Sequence, residues 1–175
     1  MNAEAPAERI LVYGVTGSGK STLAIRIATT LQLPCHLVDE LTWEPGWVMV
    51  DDDEQRRRIA AICAQDRWVL DTAYSKWLEL PLARAQLIVA LDYPRWLSLA
   101  WLVGRTAARI VDRQQICNGN VETLRGALSR DSIIVWHFRS FARKQARMRA
   151  WERGGMPVRR FTRPRDTDRW LDSLG

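Results

Sequence analysis

The sequence is poor in the residues that would indicate several common protein classes. Its three cysteines, Cys35, Cys63 and Cys117, are odd in number and widely spaced, which argues against a disulfide framework. No spacing of cysteine and histidine indicates zinc, so we expect packing residues or free thiols. No stretch approaches the roughly 20 uninterrupted apolar residues of a membrane span, and the acidic N-terminus does not resemble a secretory signal. We therefore expect a cytoplasmic protein that has no membrane segment.

Lysine is also scarce, although the chain is basic, with a net charge of +6. Of the 26 basic residues, 23 are arginine and 3 are lysine. The charge is uneven, because residues 1–100 carry 10 basic and 13 acidic side chains whereas residues 101–175 carry 16 and 7. Arginine suits two-pronged contacts with phosphate, but a GC-rich genome would raise the arginine count without any function. The composition leaves both interpretations open.

Apolar runs and helical periodicities alternate along the 175 residues, which are 47% hydrophobic. We predict strands at 9–13, 35–38, 68–70, 86–91 and 158–162, and helices at about 21–31, 53–65, 94–111, 131–152 and 164–174. This alternation predicts an α/β fold in which helices cover both faces of a parallel sheet. We expect one domain over residues 1–175, with a loop at 41–50, an insert at about 39–66 and a lid at about 112–130.

A glycine-rich segment between the first strand and the first helix carries the most specific pattern. Residues 14–22, GVTGSGKST, fit the phosphate-binding pattern G-x-x-x-x-G-K-[ST] in full. Glycines let the backbone approach phosphate oxygens, and the helix that follows adds its positive end. The predicted nucleotide-binding residues are Gly14, Thr16, Gly17, Ser18, Gly19, Lys20, Ser21 and Thr22. We expect ATP as the ligand, with Lys20 at the β- and γ-phosphates and Ser21 at Mg²⁺.

Two aspartates follow predicted strands and would meet this loop at the carboxyl edge of the sheet. Asp71 is placed to bind a water of the Mg²⁺ ion or Ser21, so we predict Ser21 and Asp71 as the metal site. Asp39 could orient or deprotonate a phosphoryl acceptor. The alternative for each aspartate is an ordinary turn cap at the end of a strand.

Cationic and aromatic side chains further along the chain extend the candidate site. Arg105, Arg109 and Arg113 lie on one face of the predicted helix that leads into the lid, where they could stabilise phosphoryl transfer or be solvated. Trp43 and Trp47 flank Pro45-Gly46, where a flat acceptor could stack or the two rings could pack on their own loop.

The predicted penultimate helix carries a basic run at 139–153 that could bind nucleic acid. We favour a solvated face, with a core-facing stripe formed by Ile134, Phe138, Phe141 and Met148. Nucleic acid is therefore a possible partner but not the favoured one, and no membrane partner is expected.

Four segments, GVTGSGKST at 14–22, HLVDELTWEPGW at 36–47, RWVLDTAY at 67–74 and LDYPRW at 91–96, resemble the adenylate-kinase-related P-loop proteins. The resemblance is greatest to the small bacterial DNA topology modulation proteins. It implies the nucleoside-monophosphate-kinase fold, with a five-stranded parallel sheet in the order 2-3-1-4-5, a helical lid and ATP on the loop. It also implies a phosphate-binding role for Arg105, adenine contacts for Arg163 and Arg165, and an acceptor-binding role for Asp39. The usual D-G-N-Y reads DTAY at 71–74, and AMP-binding arginines are not recognisable.

Our leading hypothesis is a kinase that moves the γ-phosphoryl group of Mg·ATP to a small-molecule acceptor, a nucleotide or another metabolite. Lys20, Arg105, Arg109 and Asp39 are the predicted catalytic residues, and the acceptor would lie near Asp39, Trp43, Trp47 and Tyr74. The alternative is an ATP-binding and ATP-hydrolysing switch that acts on a protein or nucleic-acid partner.

Overall fold

A computed structural model describes residues 7–72, 74–112, 115–116, 118–121, 123 and 132–175 of the chain. Its centre is a five-stranded sheet whose neighbouring strands are all parallel. In chain order the strands are β1 Arg9–Gly14, β2 Cys35–Leu37, β3 Trp68–Thr72, β4 Leu87–Leu91 and β5 Val158–Phe161. They lie side by side in the order β2-β3-β1-β4-β5, which confirms the predicted order.

Several of the described helices begin at helix-start signals in the sequence. They are α1 Lys20–Leu31, α2 Val38–Thr42, α3 Asp52–Cys63, α4 Glu79–Arg84, α5 Arg95–Val111, α6 Ile133–Arg153 and α7 Pro164–Asp172. The Asp51 carboxylate accepts the backbone N–H groups of Asp53 and Glu54 at the start of α3, and the Ser132 hydroxyl accepts that of Val135 at the start of α6. Pro164 opens α7, because its missing N–H would be unpaired there in any case.

Successive side chains of β1 enter two separate hydrophobic cores, one on each face of the sheet. Ile10 and Val12 pack with α1 and α7, whereas Leu11 and Tyr13 pack with α3 and α6. All four side chains are fully buried, and burying an aliphatic side chain of this size contributes about 1.5–3 kcal/mol. The result is three layers, with the carboxyl ends of the strands along one open edge.

Two connecting segments differ from the prediction. Residues 41–50, predicted as a loop, contain the end of α2 and a hairpin of Trp43–Glu44 with Val48–Met49, here called the Trp hairpin. In the predicted helical lid at 112–130, Gln115–Ile116 pairs with Asn120–Val121 in a hairpin, here called the NG hairpin. Arg113, Cys117 and residues 124–131 lie outside the described residues. Helix α4 was not predicted from the sequence. Within the described ranges we find no helix with the length and apolar character to cross a membrane.

Candidate active site

The glycine-rich loop turns sharply between β1 and α1. Gly17 and Gly19 have φ angles of +81° and +82°, values that residues with a side chain rarely adopt. A Cβ atom on Gly17 would also lie 2.7 Å from the Cβ of Leu102 on α5. Helix α1 begins directly after Gly19, so its first N–H groups open onto the loop. The loop therefore has the backbone shape and the helix end that can bind an anion.

Helix α6 supports this loop from behind through a histidine. Nδ1 of His137 lies 2.9 Å from the backbone carbonyl of Thr16, and the ring is fully buried. Because a carbonyl only accepts hydrogen bonds, Nδ1 carries the proton. Burial lowers the pKa of His137, so the ring is neutral at pH 7. Ser18, two residues after Thr16 in the same loop, is 1% exposed. Its hydroxyl has no hydrogen-bond partner within the described ranges.

Ser21 and Asp71 meet at the base of the loop. The Ser21 hydroxyl donates to one carboxylate oxygen of Asp71 at 2.5 Å, and the backbone N–H of Val38 donates to the other at 2.9 Å. The parallel register of β1 and β3 pairs Val12 with Asp71, which brings this carboxylate beside the loop. Burial raises the pKa of Asp71, while the positive charge of Lys20 and the two hydrogen bonds oppose the rise.

A magnesium ion bound with a nucleotide fits this arrangement. Ser21 and Asp71 supply one hydroxyl and one carboxylate, and Mg²⁺ in nucleotide sites is held by one or two protein ligands, phosphates and waters. Across the parts of the chain that can be described, three or more His, Cys, Asp or Glu side chains nowhere form a group that could hold a metal by themselves. The protein residues alone therefore do not make a complete metal cage.

The predicted acceptor residues Asp39, Trp43 and Tyr74 lie together beyond Asp71. The Tyr74 hydroxyl accepts from Nε1 of Trp43 at 3.2 Å and lies 3.4 Å from the Thr42 hydroxyl. Burial, reinforced by the negative charge of Asp39, raises the pKa of Tyr74 to about 12. Asp39 itself is half-buried on α2. A phenol, an indole and a carboxylate thus share one small region beside the loop.

Trp47 does not form a parallel stacking platform with Trp43. The two ring centroids are 5.7 Å apart and the rings are inclined by 79°, an edge-to-face contact. Trp47 has a φ of +58°, which is strained for a bulky residue, and its side chain is 42% exposed. The Trp47 ring is therefore partly exposed and packs against the edge or face of the Trp43 ring.

The NG hairpin grips this region through two asparagines that the sequence analysis did not single out. The Asn118 side chain donates to the carbonyls of Glu40 at 2.9 Å and Trp43 at 2.8 Å. The Asn120 side chain accepts from the Trp47 backbone N–H at 2.7 Å and donates to the Glu44 carbonyl at 2.9 Å. The Asn118-Gly119 pair, typical of tight hairpin turns, was the only signal in the sequence.

Lys144 is the main residue that the sequence analysis missed. Our prediction of a solvated basic face was wrong at this position, because Lys144 on α6 is 2% exposed. It falls between Phe141 and Met148, three residues from one and four from the other, and both of these are buried. That spacing was readable in the sequence. Phe138, predicted to face the core, is 49% exposed.

Burial is the main cause that lowers the pKa of Lys144, to about 7. The positive charges of Lys20, Arg143 and Arg147 lower it further, and the negative charge of Asp39 opposes them. On the same helix, His137 contacts the Thr16 carbonyl and Arg147 contacts the Tyr13 hydroxyl, so Lys144 lies on the stretch of α6 that packs behind β1 and the glycine-rich loop.

The predicted arginines lie on α5 and at the start of α7. Arg105 and Arg109 are half-buried on α5, the helix whose Leu102 touches the loop. Arg163 and Arg165 are exposed at the start of α7, directly after β5. The other strand-end aspartate, Asp92, binds α6 and β5 instead, and its buried carboxylate accepts from Gln145, Arg149 and Arg160 at 2.8, 3.3 and 2.9 Å.

Solved structures provide the comparison for this geometry. A shikimate kinase from Bacteroides thetaiotaomicron is 15% identical, with a TM-score of 0.57 and 97% of each chain covered. A shikimate kinase from Aquifex aeolicus is also 15% identical, with a TM-score of 0.55 and 95% of each chain covered. The chain has the fold of the P-loop kinases.

Other comparisons add little to this conclusion. A gluconokinase from Sinorhizobium meliloti 1021 is 19% identical over 82% of this chain and 96% of its own, but its TM-score is 0.43. No protein-family model matches the chain, and no curated protein matches it.

Proposed function

We propose that this protein is a kinase that transfers the γ-phosphoryl group of Mg·ATP to a small-molecule acceptor. The hydrogen bond between Ser21 and Asp71 at the base of the glycine-rich loop carries the proposal. It places a hydroxyl and a carboxylate together where a nucleotide-bound Mg²⁺ needs ligands. The name shikimate kinase of two fold neighbours supports a small-molecule acceptor.

The proposed mechanism divides the site into a donor side and an acceptor side. On the donor side, the loop N–H groups and Lys20 bind the β- and γ-phosphates. Arg163 and Arg165 contact the adenine ring. Bound Mg²⁺ would neutralise phosphate charge from its position at Ser21 and Asp71. Arg105 and Arg109 on α5 stabilise the charge of the transferring group.

On the acceptor side, Asp39 orients the acceptor hydroxyl and accepts its proton, while Trp43, Trp47 and Tyr74 bind the rest of the molecule. The nearby Tyr74 phenol stays protonated at neutral pH, because its pKa of about 12 is far above 7. It therefore acts as a hydrogen-bonding group and not as a base. The proposal also includes the domain organisation, with a single domain over residues 1–175, an acceptor-side insert at 39–66 and a lid at 112–130. It includes a cytoplasmic location.

The basic helix gives less support to a nucleic-acid partner than the sequence did. Lys144 is buried, and the side chains of Arg147 and Arg149 donate to Tyr13 and Asp92 of the same molecule. The ATP-hydrolysing switch remains the competing function. Likeness to the DNA topology modulation proteins rests on the four sequence segments alone and specifies no reaction.

A screen of nucleotides and metabolites for acceptor-dependent ADP release tests the proposal. The expected result is a defined acceptor that stimulates ADP release and becomes phosphorylated, with activity abolished by Lys20→Ala. Arg26→Ala is the matched control, because Arg26 lies on the same helix in an exposed ion pair with Asp168. Slow ADP release that no acceptor stimulates would favour the switch, and full activity in Lys20→Ala would refute the site.

A further inference from the structure

The Lys144 side chain is unusual because its ammonium group is buried without a hydrogen-bond partner within the described ranges. A buried charge is normally paired, since taking an ammonium group out of water is expensive. The charged groups that influence it are Lys20 on α1, Asp39 on α2, and Arg143 and Arg147 on α6. Three of these four are positive, so the surroundings hold a surplus of positive charge.

We propose that Lys144 binds an oxyanion at the junction between the glycine-rich loop and Asp39. This inference rests on the proposed kinase function and deepens it by naming an anion-binding residue between the donor and acceptor sides. The oxyanion is an oxygen of the transferring phosphoryl group or of an anionic group on the acceptor.

Packing alone does not explain a lysine at this position. Its neighbours on the buried face of α6 are Phe141 and Met148, and a methionine would fill the same space without a charge. Asp39 does not pair with it directly, because the Lys144 ammonium group has no hydrogen-bond partner within the described ranges. An arriving anion would satisfy the ammonium group and restore its proton affinity.

Calorimetry with three probes tests the inference: Mg·ADP, the non-hydrolysable γ-phosphate analogue Mg·AMP-PNP, and inorganic phosphate added to the Mg·ADP complex. Lys144→Met removes the charge and shortens the side chain by one atom. Arg139→Met is the matched control, because Arg139 is exposed on the same helix. The thermal midpoint of Lys144→Met should equal or exceed that of the wild type, since a buried unpaired charge has been removed.

Two results would support the proposal and identify the source of the oxyanion. If it is the γ-phosphoryl group, Lys144→Met binds Mg·AMP-PNP about 10- to 100-fold more weakly, while Mg·ADP affinity changes by less than about 2-fold. If it belongs to the acceptor, both nucleotides bind unchanged, but the wild-type complex binds phosphate and the variant complex does not. In either case Arg139→Met should behave like the wild type.

Other results would overturn it. Unchanged affinity for both nucleotides, with no phosphate binding lost, would remove Lys144 from the site. An equal loss for all probes together with a lower thermal midpoint would make Lys144 a structural residue. A wild-type protein that binds neither nucleotide would refute the proposed function itself, and the inference with it; a failure confined to Lys144 leaves nucleotide binding intact.

Discussion

Replacing Lys144 with methionine should change how the stability of the protein depends on pH. The pKa of Lys144 is about 7 in the folded state against 10.5 for an ordinary lysine. Between these values the unfolded chain binds a proton that the folded protein does not bind. The free energy of unfolding of the wild type should therefore rise with pH in this window, relative to the variant.

The size of the effect follows from the two pKa values. Relative to a side chain that does not titrate, proton binding by Lys144 lowers the free energy of unfolding by about 4 kcal/mol at pH 7 and by about 2 kcal/mol at pH 9. Between pH 7 and pH 9, the free energy of unfolding of the wild type should therefore rise by about 2 kcal/mol relative to that of Lys144→Met. Below pH 7 the difference should level off, because both states then bind the proton.

Urea unfolding of both proteins at pH 6, 7, 8 and 9 measures this difference. Other groups with shifted pKa values, such as Tyr13 and Cys35, are common to both proteins and cancel in the comparison. Lys76→Met, at an exposed lysine, should show no comparable trend against the wild type. A difference between wild type and Lys144→Met that changes by less than about 0.5 kcal/mol from pH 7 to 9 would show that the ammonium group is not buried.

Two further predictions concern contacts around the site. Asp92→Asn should lower the free energy of unfolding by about 2–3 kcal/mol, since the carboxylate that accepts from two arginines is buried; Asp66→Asn, at an exposed carboxylate, is the control, and equal losses in urea unfolding would contradict the argument. Asn120→Ala should speed hydrogen exchange of the Trp47 amide about 5- to 10-fold, because it removes a hydrogen bond worth about 1 kcal/mol. The Trp68 amide, bonded to the Glu8 carbonyl, serves as internal reference, and an unchanged Trp47 rate would show that the NG hairpin does not hold this loop.

The central strands β1, β3 and β4 were predictable because they are short, buried apolar runs. The glycine-rich loop was predictable because its glycines permit positive φ angles. Lys144 was missed because a run of charges along a helix usually marks the solvent side, although its spacing from Phe141 and Met148 places it on the buried face. The hydrogen bonds from Asn118 and Asn120 to the backbone of residues 40–47 could not be predicted either. They join positions more than 70 residues apart, and neither local propensity nor periodicity reports such distances.

Helix α6 connects the rear of the glycine-rich loop to the buried side chain of Lys144. His137 braces the Thr16 carbonyl, and Lys144 lies seven residues, about 10 Å, further along the same helix. If nucleotide binding tilted helix α6, the same tilt would therefore displace the Lys144 side chain. We therefore expect that a change of the glycine-rich loop on nucleotide binding would reach Lys144 through α6.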